Sequence, residues 1–447
     1  MKPLPELLRR LDADHSHAIL AFLDRDGSPM SLATGFRADA DRRSVALDRP
    51  AGDDFVPADG AVVNVLFSHI RPRPGVGYDE RRWVSVWGRV RHIGAGLEVA
   101  IERAEHWDER ELSFFEYCER NVPTAHRYMR ELSEAERRPV RPRLSPGWLF
   151  LRATRLPFLT ATLVSVLLGL AAAARDGFFH WGLALATLVA ASAIHLGLNV
   201  ANDVFDTESG ADQANVTPTP FSGGSRVIVY GLLSTRQMVV LAAACYAVGL
   251  AIGLTLAWQR AFWPLFWIGA AGVFVSLAYT APPLRLVHRG LGEAAVALGF
   301  GPIMTLGAYA VQTERLSWPT LYASLPIGIL IALVLYVNEI PDRRGDAAAG
   351  KRTLPVRLRR ETVVRGYLAG VAAAFGLIVL GAASGILPLG TIVALAALPL
   401  ARQVYRGLRS FYENPYALMP AMARNIQLHL VTGLLMVGGY ALELFMR

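Results

Sequence analysis

The polar and apolar positions change rhythm once, near residue 149. Before that point short apolar runs are broken by charge, and the pattern over residues 17–93 is that of strands. His17–Leu23, Met30–Phe36, Ser44–Leu47, Ala61–Phe67 and Trp83–Ile93 are short and rich in strand-forming residues. Turn signals lie between them, among them Asp26-Gly27 and the stretch from Pro50 to Asp54. Residues 97–133 are expected to be helical and amphipathic. The stretch Glu134–Gly147 carries Arg137, Arg138, Pro139, Arg141, Pro142 and Arg143, and reads as a linker.

From Leu149 onward long apolar runs are separated by short polar gaps. About nine of them have the length of a membrane helix. They fall near 156–174, 181–200, 237–257, 262–280, 291–311, 320–340, 364–383, 387–401 and 427–445. The expected fold is a multi-pass all-α membrane bundle behind an N-terminal soluble β-barrel domain. The boundaries are 1–140 for the soluble domain, 141–150 for the linker and 151–447 for the bundle.

Composition agrees: 53% of the 447 residues are hydrophobic, high for a soluble chain. The net charge of +8 does not point to nucleic acid. In the second half the cations sit in alternate loops, as on the inner face of a membrane protein. Loops 201–236, 281–290, 341–363 and 402–426 hold most of them, whereas Arg175, Arg260 and Arg315 are isolated on the other side. The expected location is therefore the cell's inner membrane with the N-terminal domain in the cytoplasm. Cys118 and Cys245 fall in different parts of the chain, which does not suggest a disulfide framework. No signal-peptide core stands at the N-terminus.

Two polar clusters stand at the expected inner ends of spans. Asn199, Asn202, Asp203 and Asp206 are spaced i, i+3, i+4, i+7, one helical face, with Asp212 following. Asn338, Asp342 and Asp346 repeat that face at i, i+4, i+8, and Lys351 and Arg352 follow. Grouped ionisable residues at a membrane edge are functional by default. Paired carboxylate faces suit Mg²⁺, a hard ion that bridges carboxylates to phosphates. A prenyl diphosphate is such an anion, and the metal stabilises its leaving group. Arg226, in Ser222-Gly-Gly-Ser-Arg226, adds a cation beside a glycine pair able to present N–H groups to an anion. Arg285 and Arg289 either face the diphosphate or follow the positive-inside rule. His195, one turn before Asn199, reads as packed within the bundle.

These residues carry a resemblance. The stretch 149–447 resembles the UbiA-type intramembrane prenyltransferases, both Asp-rich motifs standing at the expected helix ends. Asn199–Asp212, Gly223–Ser234, Tyr279–Glu293 with Gly301–Tyr309, and Asp346–Leu354 look most like the 1,4-dihydroxy-2-naphthoate prenyltransferases of menaquinone synthesis. Departures are Glu339 where a second Asn is usual, Val287-His288 in place of a Lys-Tyr pair, and Arg226 for a Gly. The resemblance implies that Asp203, Asp206, Asp342 and Asp346 hold two Mg²⁺ ions on a polyprenyl diphosphate. Lys351, Arg226 and Tyr279 would neutralise or orient it. Ionisation would give an allylic cation among aromatic faces, which an electron-rich ring then attacks. The rival acceptors are 4-hydroxybenzoate or another phenol; the rival class is a non-catalytic transporter or scaffold.

The N-terminal part is similar to pyridoxamine-phosphate-oxidase-like flavin split barrels, on Ala18–Thr34 and Trp83–Val90. That resemblance implies an FMN module acting on the quinone made next door. The plainer reading of the same residues is an empty barrel used for stability or docking.

Overall fold

The computed structural model describes residues 3–50, 52, 55–74, 77–142 and 144–446, and divides into two compact units, Met1–Glu119 and Arg120–Arg447. Ala51, Asp53 and Asp54 of the expected Pro50–Asp54 turn, and Arg143 of the expected linker, lie outside the described residues.

The first unit is a seven-stranded sheet, paired antiparallel throughout, in the order β2-β1-β5-β6-β7-β4-β3. The strands are β1 Ala18–Leu23, β2 Pro29–Thr34, β3 Phe36–Asp39, β4 Ser44–Asp48, β5 Val62–Arg73, β6 Gly77–Ile93 and β7 Gly96–Asp108. Alternation sets which face is buried: Leu20, Val45, Val65, Phe67, Val86 and Val99 point inward. Helix α1, Leu4–Asp14, covers that face with Leu7, Leu8 and Leu11.

Strand β7 corrects the expectation of a helix from residue 97. Leu97 and Val99 are buried on alternate positions, a period of two, and the strand pairs with β6 from Gly96 to Asp108. The charged residues along it had looked like a helical polar face, but they form the outer face of a strand. The ladder shifts register at Gly88, where an added Cβ would meet the Ala100 carbonyl at 1.9 Å. Helix begins only at α2, Phe114–Arg120, followed by α3, Val122–Ala135.

The second unit is helical. After α4 (Pro146–Ala153) come α5 (Thr160–Arg175), α6 (Trp181–Glu208), the short α7 (Ala211–Ala214), α8 (Thr235–Arg260) and α9 (Trp263–Thr280). Then follow α10 (Gly292–Leu298), a π-helical turn at Gly299–Ile303, α11 (Met304–Thr313) and α12 (Trp318–Ala348). The unit ends with α13 (Leu354–Arg357), α14 (Arg360–Ala383), α15 (Leu398–Phe411) and α16 (Pro415–Met446).

Among the described residues eight helices are long and apolar enough to cross a membrane, α10 and α11 counting as one. The segment expected as a further span at 387–401 forms a 3-10 helix, Leu389–Ala397, that runs on into α15. Arg402, Arg406 and Arg409 stand within α15, which keeps that stretch polar. The core of the bundle is α12, buried along most of its length through Ile327, Leu330, Val337 and Ile340. Tight glycine contacts hold its neighbour close: a Cβ on Gly328 would meet the Ala297 carbonyl at 2.6 Å. Small residues at helix crossings let backbones approach in this way.

Candidate active site

The two polar clusters meet. The last turns of α6 and α12 bring Asn199, Asn202, Asp206, Asn338, Asp342 and Asp346 to one cavity of about 140 Å³. Lys351, from the turn after α12, sits in the middle. Its Nζ is 3.1 Å from Asp206 Oδ2 and 3.6 Å from Asp346 Oδ1, so one ammonium joins the two motifs. Burial opposes the charge on Lys351, yet Asp206 and Asp346 hold its pKa well above the ordinary value. Asn202 Nδ2 donates to Asp206 Oδ2 at 2.5 Å, and His288 Nε2 lies 3.7 Å from Asp206 Oδ1.

The loop after α7 closes one wall. Asn215 Nδ2 donates to Asp342 Oδ1 at 2.8 Å, and the Gly223 N–H donates to Asp342 Oδ2 at 2.8 Å. The Ser225 N–H donates to Asp203 at 3.0 Å. The glycine-rich segment presents the Gly223 and Ser225 N–H groups to the motif carboxylates. Gly223 and Gly224 need their positive φ of 75° and 71°, and a Cβ on Gly224 would stand 2.9 Å from Asp203 Oδ1.

Not every expected residue reaches the cavity. Asp203 is buried and turned to Ser225, at the edge of the α6 stripe. Arg226 is buried and donates to the backbone carbonyl of Asp212. Asp212 lines the cavity, and burial, with Asp203 and Asp206 nearby, raises its pKa well above the ordinary carboxyl value. Tyr279 is a lining residue as expected. Among the described residues that line the cavity, Arg285 and Arg352 are not found; the Arg352 N–H instead donates to the His288 carbonyl at 2.9 Å.

Arg155 and Asn215 also line the cavity and escaped the sequence reading, whereas His195 and Glu339, singled out there for other reasons, line it too. Arg155 follows α4 at φ 53°, far from either motif in sequence, so no spacing could reveal it. His195 bonds Thr162 Oγ1 at 2.8 Å and stands edge-on to Phe300. It packs within the bundle as read, and it also borders the cavity.

A second, apolar cavity of about 550 Å³ runs between α6, α8, α9 and the α10–α11 segment. His195, Leu198, Tyr279, Val296 and Phe300 line both cavities, so the polar chamber opens onto the apolar one. An anionic head and a hydrocarbon tail would each find matching walls.

The residues present fit a divalent cation. The donor set is oxygen only, the kind that Mg²⁺ prefers, and a cation already bridges the two motifs in the form of the Lys351 ammonium. Among the described residues no three such groups close on one point as they stand; they are spread around Lys351.

The sequence pattern described as the UbiA prenyltransferase family matches residues 162–427. The chain is 28% identical to the 2-carboxy-1,4-naphthoquinone phytyltransferase of Synechocystis sp., over 68% of this chain and 97% of that protein. It is 26% identical to the 1,4-dihydroxy-2-naphthoate octaprenyltransferase of Bacillus subtilis, over 71% and 100%. Against the enzyme of that name from Mycobacterium tuberculosis it is 34% identical, over 52% and 75%.

Proposed function

The chain belongs to the UbiA prenyltransferase family, and from that premise we propose that it prenylates 1,4-dihydroxy-2-naphthoate in menaquinone biosynthesis. The donor in this reading is a polyprenyl diphosphate. The observation that carries the reading is the junction of two chambers: six Asn and Asp side chains around Lys351 on one side, an apolar chamber on the other. The names of the Bacillus subtilis and Mycobacterium tuberculosis relatives support this acceptor.

Asp206, Asp342 and Asp346 would hold Mg²⁺, which would screen the diphosphate and stabilise it as a leaving group. Lys351 offers an ammonium to the same phosphates. Asp203 holds the Gly223–Ser225 loop in place rather than facing the cavity. Asn215 and the Gly223 N–H fix the Asp342 carboxylate. Tyr279 and Phe300, at the junction, present aromatic faces where an allylic cation would form. The apolar walls keep water from that cation.

The chain is a multi-pass membrane protein. The asymmetry of its Lys and Arg supports an inner membrane with the N-terminus on the cytoplasmic side. Nothing in the described residues of the N-terminal unit supports the FMN expectation, and no flavin step enters this reading.

The test is prenyl transfer by purified protein in detergent. Geranylgeranyl or longer diphosphate is supplied with 1,4-dihydroxy-2-naphthoate or 4-hydroxybenzoate, with Mg²⁺ or a chelator. A decarboxylated prenyl-naphthoquinol made only with Mg²⁺ is the expected result. Product from 4-hydroxybenzoate alone overturns the acceptor, and no product from either overturns the reading.

A further inference from the structure

A second acidic pair lies beside the cavity. Glu339 lines the cavity from α12, three residues before Asp342, about 4.5 Å along the helix axis. It is 5% exposed. Glu293, on α10, is its neighbour across the helix contact. Among the described residues none of the four carboxyl oxygens has a hydrogen-bond donor in reach, nor has the adjacent Asn338 Oδ1.

Buried polar atoms without partners are rare, and a buried carboxylate is the costliest kind. The cation that acts on Glu339, Lys351, is engaged by Asp206 and Asp346. Among the described residues neither carboxyl is paired with Lys351, which sets the pair apart from Asp206 and Asp346. Two carboxyls side by side without a counter-ion are stable when they share a single proton. One oxygen then remains open to a hydroxyl group entering the cavity. The other titratable groups around the pair are Tyr279, Tyr336, Lys351 and Asp346.

We propose that Glu339 accepts the proton of the aromatic acceptor's ring hydroxyl, with Glu293 as the residue that positions it. This rests on the prenyl-transfer reading above. The allylic C–O bond breaks and its electron pair leaves with the diphosphate. A ring carbon next to the hydroxyl-bearing carbon gives its π pair to the allylic carbon, forming the new C–C bond. The O–H pair becomes a C=O π bond and the proton passes to Glu339. When the acceptor's carboxylate, already without its proton, departs from that ring carbon as CO₂, the C–C bonding pair restores the aromatic ring and the C=O π pair returns to the oxygen. Glu339 then returns the proton to the oxygen.

The experiment compares full-length wild type, Glu339→Gln, Glu339→Asp and Glu293→Gln in detergent, with acceptors graded in hydroxyl acidity by electron-withdrawing substituents. For Glu339→Gln the expected result is a fall in kcat of about 10²-fold, the usual size of a general-base contribution. KM for the prenyl diphosphate and the Mg²⁺ requirement stay unchanged. The rate of this variant climbs with acceptor acidity, while wild type barely responds, and Glu339→Asp regains part of the loss. Unchanged kcat and no acidity dependence overturn the proposal. So does a raised Mg²⁺ requirement, which would make the pair a cation site. Should Glu339→Gln lose prenyl diphosphate binding through misfolding, the acidity dependence of Glu293→Gln decides in the same sense. Wild type that prenylates no hydroxyarene defeats the reading beneath the proposal instead, and is told apart by that.

Discussion

Single side chains here act through what they hold. Asp203 accepts the Ser225 N–H behind the cavity wall, so Asp203→Ala strands a buried donor. The expected cost is about 1–3 kcal/mol in stability together with loss of turnover, read by thermal unfolding and prenyl transfer on one preparation. Gly224→Ala combines a positive φ with a Cβ 2.9 Å from Asp203 Oδ1. It should destabilise by at least about 1 kcal/mol and lower kcat, and an unaltered kcat would mean that the loop does not set the site. In the first unit, His15 is buried, faces Arg82, Asp14 and His69, and has both ring nitrogens unpartnered. Burial holds its pKa below the ordinary 6.5. The unfolded chain takes up the proton first, so the contribution is complete above pH 6.5 and is lost progressively as pH falls below it. A thermal midpoint that drops with acid from pH 6.5 in wild type, and less so in His15→Phe, is the expected result.

At the scale of elements, periodicity carried most of the information. The spans were legible because long apolar runs have few alternatives, and the two motifs because helical spacing gathers Asn and Asp onto one face. One reading that the structure corrects and one span beyond its eight long apolar helices have a common cause. Residues 97–108 and 387–401 are short stretches whose local pattern is ambiguous, and partners far away in sequence decided them. Strand β6 drew the first into a ladder. For the second, the α16 backbone presses close: a Cβ on Gly390 would stand 2.8 Å from the Gly439 carbonyl. Arg155 and Asn215 were illegible for the same reason, since only the folded bundle brings them beside the motifs. The contact of α12 with α10 makes its own forecast. Gly328→Ala pushes a methyl into the Ala297 carbonyl, an overpacking expected to cost about 1–3 kcal/mol. Because α10 and α12 carry Glu293 and Glu339, activity should fall along with the midpoint of unfolding in detergent.

For the molecule as a whole, the proposed function puts the prenyl tail in the apolar chamber. Gly253 lines it, and a Cβ there would meet nothing within 4 Å. Gly253→Phe should therefore fold normally and shorten the longest prenyl group transferred, seen in the product distribution from mixed diphosphates. An unchanged distribution would place the tail elsewhere. The join between the two chambers has a practical side as well. A surfactant with an anionic head and a hydrocarbon tail has the outline of the donor, so solubilising agents of that shape are predicted competitive inhibitors. Uncharged sugar-headed ones match only the tail and should leave turnover measurable.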